Sequence, residues 1–198
     1  MFKRVDANID LPSVESEISA YWDKINAFET SVENRKNDKT FRFYDGPPFP
    51  TGSPHYGNLL AGVIKDIVPR YWTMRGYYVE RRFGWDVHGL PIEMEVQKKL
   101  NLEDPQQIDE YGIDKFNEAC RSQVQTNTEN WEKITRKIGR WVDFENDYKT
   151  MDIEFMESVW WVFKELWSKD LIYQDYKVLP YSWAASTPLS NFEANMDY

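Results

Sequence analysis

The chain has 198 residues, with 24 Lys and Arg against 33 Asp and Glu and a formal net charge of -9. This length fits one domain, or one and a half, and 41% apolar residues can build a core. No apolar run nears the roughly 18 residues of a membrane span, and the acidic balance argues against a generic electrostatic binder of nucleic acid.

The start, Met1 to Asp6, has no apolar stretch behind it and is expected not to act as a secretory signal. One cysteine, Cys120, precludes an internal disulfide or a cysteine-based zinc cluster within the chain. Both features point to the cytoplasm, with no membrane association. Aromatics reach 16%, too many for a disordered chain.

Taken in order, Val14, Ile18, Tyr21, Trp22, Ile25 and Phe28 recur at helical spacing and predict a helix over 12–28. Glu33 to Thr40 is a polar connector. Phe41 to Asp45 reads as a strand, stopped by Gly46-Pro47-Pro48. A helix follows from about Tyr56 to Arg75, with Leu60, Ile64, Ile67 and Tyr71 on one face. Pro69 should kink it or end it early, and Gly76 should stop it. Tyr77 to Phe83 reads as a second strand, and Gly84 to Pro91 as a loop.

A long amphipathic helix runs through Ile113, Phe116, Cys120, Val124, Asn127, Trp131, Ile134, Ile138 and Trp141, with Cys120 as a small buried hydrophobe. Asp152 can cap another helix, through Phe155, Val159, Trp160, Phe163 and Trp167. Core packing is the role expected of Trp160, Trp161 and Trp167. Ile172 to Ser182 reads as extended. The order of elements predicts an α/β fold with a parallel sheet and flanking helices.

Two segments carry chemistry. The first, Tyr44 to Asn58, joins a predicted strand to a predicted helix, where parallel α/β sheets bind ligands. The free N–H groups and positive dipole of a helix start suit a phosphate, and His55 and Asn58, three apart, can both face it. Gly52 and Gly57 allow close backbone approach. Pro47 and Pro48 leave carbonyls without matching donors, free to accept from an ammonium group. The plainer reading is a stiff connector whose histidine caps a helix.

The second segment, Gly84-Trp85-Asp86-Val87-His88-Gly89-Leu90-Pro91, follows the next strand. Asp86 can pair with a substrate ammonium, with Gly84 and Gly89 leaving room for it, or it can make an Asx-type backbone bond in a turn. His88 reads as structural.

These segments resemble the amino-terminal part of the isoleucyl-tRNA synthetases, which are class I aminoacyl-tRNA synthetases. Pro48 to Asn58 is similar to their HIGH signature, written here as HYGN. GWDVHGLPIEMEVQKKL, NWEKITRKIGRWVDFENDYKTMD and VLPYSWAASTPLSNFEAN continue the resemblance, which covers nearly all of the chain beyond the first helix. It implies an incomplete Rossmann-type parallel sheet over 41–198, preceded by a helical extension and connector over 1–40, and truncated near the family's editing insertion.

It further implies an enzyme that joins isoleucine to ATP, brought with Mg²⁺, and passes the acyl group to tRNA(Ile). His55 and Asn58 would be catalytic. Pro48, Thr51, Gly52, His55, Gly57 and Asn58 would bind ATP, and Gly46, Pro47 and Asp86 the amino acid. A monomer is expected. Two departures stand out. Asn58 replaces the second histidine of HIGH. Ser182 and Ala185 stand where many relatives carry a zinc-binding thiol pair, so no zinc is expected in this segment. The family's KMSKS lysine loop is not in the sequence, so the chain alone is expected to be inactive. The sequence also admits two other readings: a small nucleotidyltransferase, and a truncated non-catalytic paralogue acting as a binding module.

Overall fold

A computed structural model describes residues 8–184 and 186–194. The chain divides into two compact units, at Met156 and Glu157. The first opens with α1 (Leu11–Lys24) and α2 (Ala27–Glu33), where one helix over 12–28 was expected. Asn26 adopts a left-handed conformation (φ 46°) and breaks the run. Trp22 packs edge-on against Trp141 at 5.2 Å, and the Arg70 guanidinium lies 3.9 Å from the Trp141 ring centre, which ties α1 to the body of the unit.

The strand expected over 41–45 does not form. A single parallel bridge joins Thr40 to Tyr78, and Phe41 N–H donates to the Tyr78 carbonyl. Beyond it Tyr44 is 84% exposed and Asp45 turns inward to ion partners. Helix α3 (Tyr56–Met74) matches the expected span and passes through Pro69 without ending. Gly76 (φ +88°) stops it: the Gly76 N–H donates to Thr73 O and the Tyr77 N–H to Trp72 O, a Schellman turn sealed by Trp72 against Tyr77.

The second expected strand forms later, as β1 (Arg82–Trp85), because its partner meets it only there. That partner, β2 (Asp143–Lys149), runs parallel to it, pairing Arg82 with Asp143, Gly84 with Tyr148 and Trp85 with Lys149. Its acidic sequence, DFENDYK, carries no strand signature. Between the first two pairs the register slips, and the Asp143 carboxylate ties the slack by accepting from the Glu145 and Asn146 N–H groups.

Two helices not foreseen, α4 (Leu90–Leu100) and α5 (Pro105–Tyr111), pack with α6 (Ile113–Lys137). The segment read as a loop thus ends in the first turn of α4. The expected continuation of α6 to Trp141 is cut by Gly139 (φ +74°) in a second Schellman turn, with the Gly139 N–H on Arg136 O and the Arg140 N–H on Thr135 O. The core joins Phe83 and Trp85 of β1, Ile92 and Val96 of α4, Phe116, Val124 and Trp131 of α6, and Phe144 of β2. Cys120 packs partly buried against it, and burial, with the Glu93 charge, raises its thiol above the ordinary value.

Helix α7 (Ile153–Ser168) begins at the expected place, although the Asp152 carboxylate turns back to accept from the Lys149 N–H. In the second unit its remaining turns expose Trp160 (72%), Trp161 (61%) and Trp167 (54%), against the core role expected of them. Helical spacing marks an apolar face but not what covers it. Of the extended segment 172–182, Tyr181–Ser182 (β3) forms a strand, paired antiparallel with Thr187–Pro188 (β4). A four-residue helix, α8 (Asn191–Ala194), follows.

Candidate active site

The site is built on the long loop between Asp45 and α3, and on the turn after β1. At the start of α3, His55 has extended backbone (φ -93°, ψ 171°) and serves as the N-cap. Its imidazole Nδ1 accepts from the Gly57 N–H at 3.1 Å, and its own N–H donates to Asn58 Oδ1 at 3.0 Å. The two side chains therefore cap the helix reciprocally.

The cap has a chemical consequence. With Nδ1 accepting, the neutral imidazole carries its proton on Nε2. With Oδ1 of Asn58 accepting, its NH₂ group remains as a donor. Both donors sit at the positive end of a 19-residue helix with no acidic residue in its first turn. The space expected over Gly57 is occupied by the imidazole: a Cβ there would lie 3.0 Å from the ring. The plainer reading, a histidine that caps a helix, is thus true of this structure and leaves the ring able to donate.

The residues before the cap are held from outside. Gly52 takes a positive φ (+57°) with open space where a Cβ would stand, and its carbonyl accepts from Trp131 Nε1 at 2.9 Å. Thr51 is exposed, its N–H on the Phe49 carbonyl. Of the carbonyls expected to lack donors, that of Pro48 accepts from the Asp86 N–H at 2.9 Å, which is a correction. The Gly46 carbonyl accepts from Lys65 Nζ at 2.5 Å, and that of Pro47 has no partner among the described residues.

Asp86 directly follows β1, at its carboxyl end. Its carboxylate accepts from the Thr150 hydroxyl through Oδ1 at 3.3 Å. This is a side-chain contact rather than an Asx turn. The same hydroxyl accepts from the Val87 N–H and lies 2.7 Å from His88 Nδ1, so His88 is held structurally. Gly84 leaves no room for a substrate: the Tyr148 ring would stand 2.2 Å from its Cβ. Gly89 keeps open space, with φ +96°.

The sequence left unremarked a buried ion cluster under the loop. The Asp45 carboxylate, wholly buried, pairs with Arg140 through Oδ2 and with Lys65 Nζ through Oδ1 at 2.6 Å. The Tyr148 hydroxyl donates to the Asp45 carbonyl at 2.9 Å. Burial first, and the Asp45 charge second, push the Tyr148 phenol above its ordinary value, so it stays a donor. Asp45 and Arg140 lie 95 residues apart, and no local pattern signals their pairing. A cavity of about 180 Å³ lies beside the cluster, lined by Pro48, Asn58, Lys65, Trp131 and Arg140 among others. It brings Pro48 and Asn58 together, while His55 and Asp86 do not line it.

Comparison with known proteins decides the family. Residues 17–198 match the profile of the tRNA synthetases class I (I, L, M and V). The chain belongs to this family.

Among its relatives, the cytoplasmic isoleucine–tRNA ligase of Arabidopsis thaliana is 55% identical over 94% of this chain and 16% of its own length. The isoleucine–tRNA ligase of Anaplasma marginale is 55% identical over 99% of this chain and 18% of its own length. That of Mycobacterium tuberculosis is 55% identical over 95% and 18%. This class I synthetase chain therefore spans under a fifth of those relatives. The Agrobacterium radiobacter K84 agnB2 LeuRS, solved as a ternary complex with tRNA and LeuAMS, shares the fold at a TM-score of 0.65 and 20% identity, over 93% of this chain and 21% of that one. The expected incomplete Rossmann-type architecture is borne out.

Among the described residues no helix is long and apolar enough to cross a membrane, and no group of three or more His, Cys, Asp or Glu is poised for a metal. Of the positions expected to have lost zinc thiols, Ser182 lies in β3 and Ala185 falls outside the described residues.

Proposed function

We propose that this chain supplies half of the adenylate-forming site of an isoleucine–tRNA ligase. In the intact enzyme the isoleucine carboxylate attacks the α-phosphorus of ATP, which enters with Mg²⁺ as substrate. Pyrophosphate leaves, and the isoleucyl group then passes from the adenylate to tRNA(Ile) with release of AMP. The observation that carries this reading is the reciprocal cap at α3, which presents two side-chain donors at a positive helix end.

His55 Nε2–H donates to a phosphate oxygen as charge grows there, and the Asn58 amide assists. Both act by electrostatic stabilisation, with no protein nucleophile. Asn58 stands where the family's signature has a second histidine: its Oδ1 accepts from the His55 N–H, and its NH₂ is the donor left for the phosphate. Pro48, Thr51, Gly52 and Gly57 form the nucleotide wall. Gly46, Pro47 and Asp86 hold the ammonium of the amino acid: Asp86 keeps Oδ2 beyond its Thr150 contact, and a carbonyl held by one donor has a second lone pair. The segment before residue 41 is an extension of this catalytic region, helical over Leu11–Lys24 and Ala27–Glu33, and the whole works in the cytoplasm as a monomer. The closing segment binds no zinc.

Isoleucine-dependent exchange of pyrophosphate into ATP tests the reading, measured on the protein at its natural length. Exchange that requires isoleucine and falls by about 10²–10³ in His55→Ala is the expected result. The absence of exchange with saturating isoleucine and ATP·Mg²⁺ would overturn it in favour of a binding module. The 198-residue chain alone is expected to form no isoleucyl-tRNA, because the opposite wall of the site is not in its sequence.

A further inference from the structure

The arm from Asp45 to Pro48 has a peculiarity of composition. Pro47 and Pro48 carry no N–H, so the arm offers acceptors but almost no donors, and it cannot fold on itself. Its geometry has to come from donors on other elements. The structure provides three: the Tyr148 hydroxyl on Asp45 O, the Asp86 N–H on Pro48 O, and Lys65 Nζ on Gly46 O.

Lys65 differs from the other two in kind. Its ammonium donates to the Gly46 carbonyl at 2.5 Å and forms an ion pair with Asp45 Oδ1 at 2.6 Å, linking the backbone of one residue to the side chain of the one before it. It projects from the third turn of α3, the helix whose first turn carries His55 and Asn58. One rigid rod therefore sets the spacing between the capped end and the proline arm.

We propose that Lys65 is a positioning residue for the amino-acid arm of the site: it orients the Gly46 carbonyl toward the substrate ammonium and takes no part in the phosphate chemistry. This rests on the adenylate-forming reading above. The arm that meets ATP has anchors of its own, Trp131 Nε1 on Gly52 O and Asn130 on Ser53, so loss of Lys65 is felt selectively. Arg140 also pairs with Asp45, so removing Lys65 leaves a balanced pair and a chain that folds.

The test compares the natural-length protein with Lys65→Met and Lys65→Arg. In pyrophosphate exchange, Lys65→Met should raise the KM for isoleucine by about 10- to 100-fold, the scale of a lost charged hydrogen bond, and leave the KM for ATP within about twofold. Lys65→Arg should recover most of the loss. A KM that rises equally for both substrates would make Lys65 merely structural. A KM for isoleucine that is unchanged or falls would mean that its charge is irrelevant or repels the substrate. Either outcome overturns the proposal. Amide exchange at Asp86, whose N–H donates to Pro48 O, gives a readout independent of activity. It should quicken by about tenfold in Lys65→Met if the arm loosens, and unchanged exchange overturns the positioning. If the parent protein shows no isoleucine-dependent exchange, the functional reading fails while the Asp86 amide still decides whether Lys65 holds the arm.

Discussion

The two arms of the loop before α3 are held in opposite ways. The arm from Thr51 to Asn58 ends in a cap made by its own residues, His55 and Asn58 serving each other and Gly57 within four positions. The arm from Asp45 to Pro48 makes no such local bonds. It hangs from Lys65, Arg140, Tyr148 and Asp86, which lie between 19 and 103 residues away in sequence. A helix start brings unsatisfied N–H groups that nearby side chains can satisfy. A proline pair brings only carbonyls. On the proposed function, the difference explains why a phosphate site would be written in a short motif while an ammonium site beside it would be assembled by the fold.

The contrast can be broken most strongly at Arg140. Arg140→Met removes the more buried of the two partners of the wholly buried Asp45 carboxylate, leaves it paired with Lys65 alone, and should lower stability by about 1.5–3 kcal/mol. Urea unfolding would show it, and adding Asp45→Asn should restore much of the loss. A shift below 1 kcal/mol, on the scale of an exposed pair, would mean that the arm does not depend on the cluster.

Next comes the separation of cap from donor at His55. His55→Asp keeps an acceptor for the Gly57 N–H but removes the Nε2 donor and places negative charge beside the phosphates. Adenylate formation should fall by at least about 10²–10³ while the urea midpoint stays near that of the parent. Adenylate formation that stays near the parent's in His55→Asp, while His55→Ala loses stability, would reduce His55 to a cap.

A smaller effect is expected at Tyr148. Tyr148→Phe removes the bond to the Asp45 carbonyl and should cost about 0.5–1.5 kcal/mol. Its phenol holds its proton more tightly in the folded state than at the ordinary value of 10.0. The stability it contributes is therefore complete below pH 10 and is lost as pH rises through the folded value. Urea midpoints taken from pH 9 to 11 should fall in the parent and fall less in Tyr148→Phe.

The smallest effect is a control remote from both arms. Burial and the Glu93 charge raise the Cys120 thiol above 9.0, so alkylation at neutral pH should be slow and its rate should still climb above pH 9. A rate that levels off near pH 8 would contradict that environment.

Much of the helical frame was legible. The span of α3, its stop at Gly76 and the face of α6 followed from periodicity and from a glycine that tolerates positive φ. Two kinds of feature were not. Strands were misplaced because pairing creates them: β2 forms from a polar acidic sequence once β1 lies beside it, while the only bridge near the β-prone Phe41 to Tyr44 among the described residues is made by the preceding Thr40. Burial was misjudged at Trp160, Trp161 and Trp167 for a related reason, since periodicity ranks the faces of a helix and says nothing of what lies against them. At Gly84 the expected space for a substrate is filled by Tyr148, its pairing partner in β2.

The sequence by itself determined the capped end of α3, with His55, Gly57 and Asn58 in the order a helix start requires, because such contacts span four residues and need no partner from elsewhere. It also carried the family resemblance, because long motifs in order are themselves sequence. Only the tertiary structure decided that Asp45 is a buried anchor rather than the end of a strand, that Lys65 and Arg140 converge on it, and that Thr150 holds Asp86. Ion pairs and hydrogen bonds act over about 3 Å, and nothing local in a chain records which distant residues folding will bring within that reach.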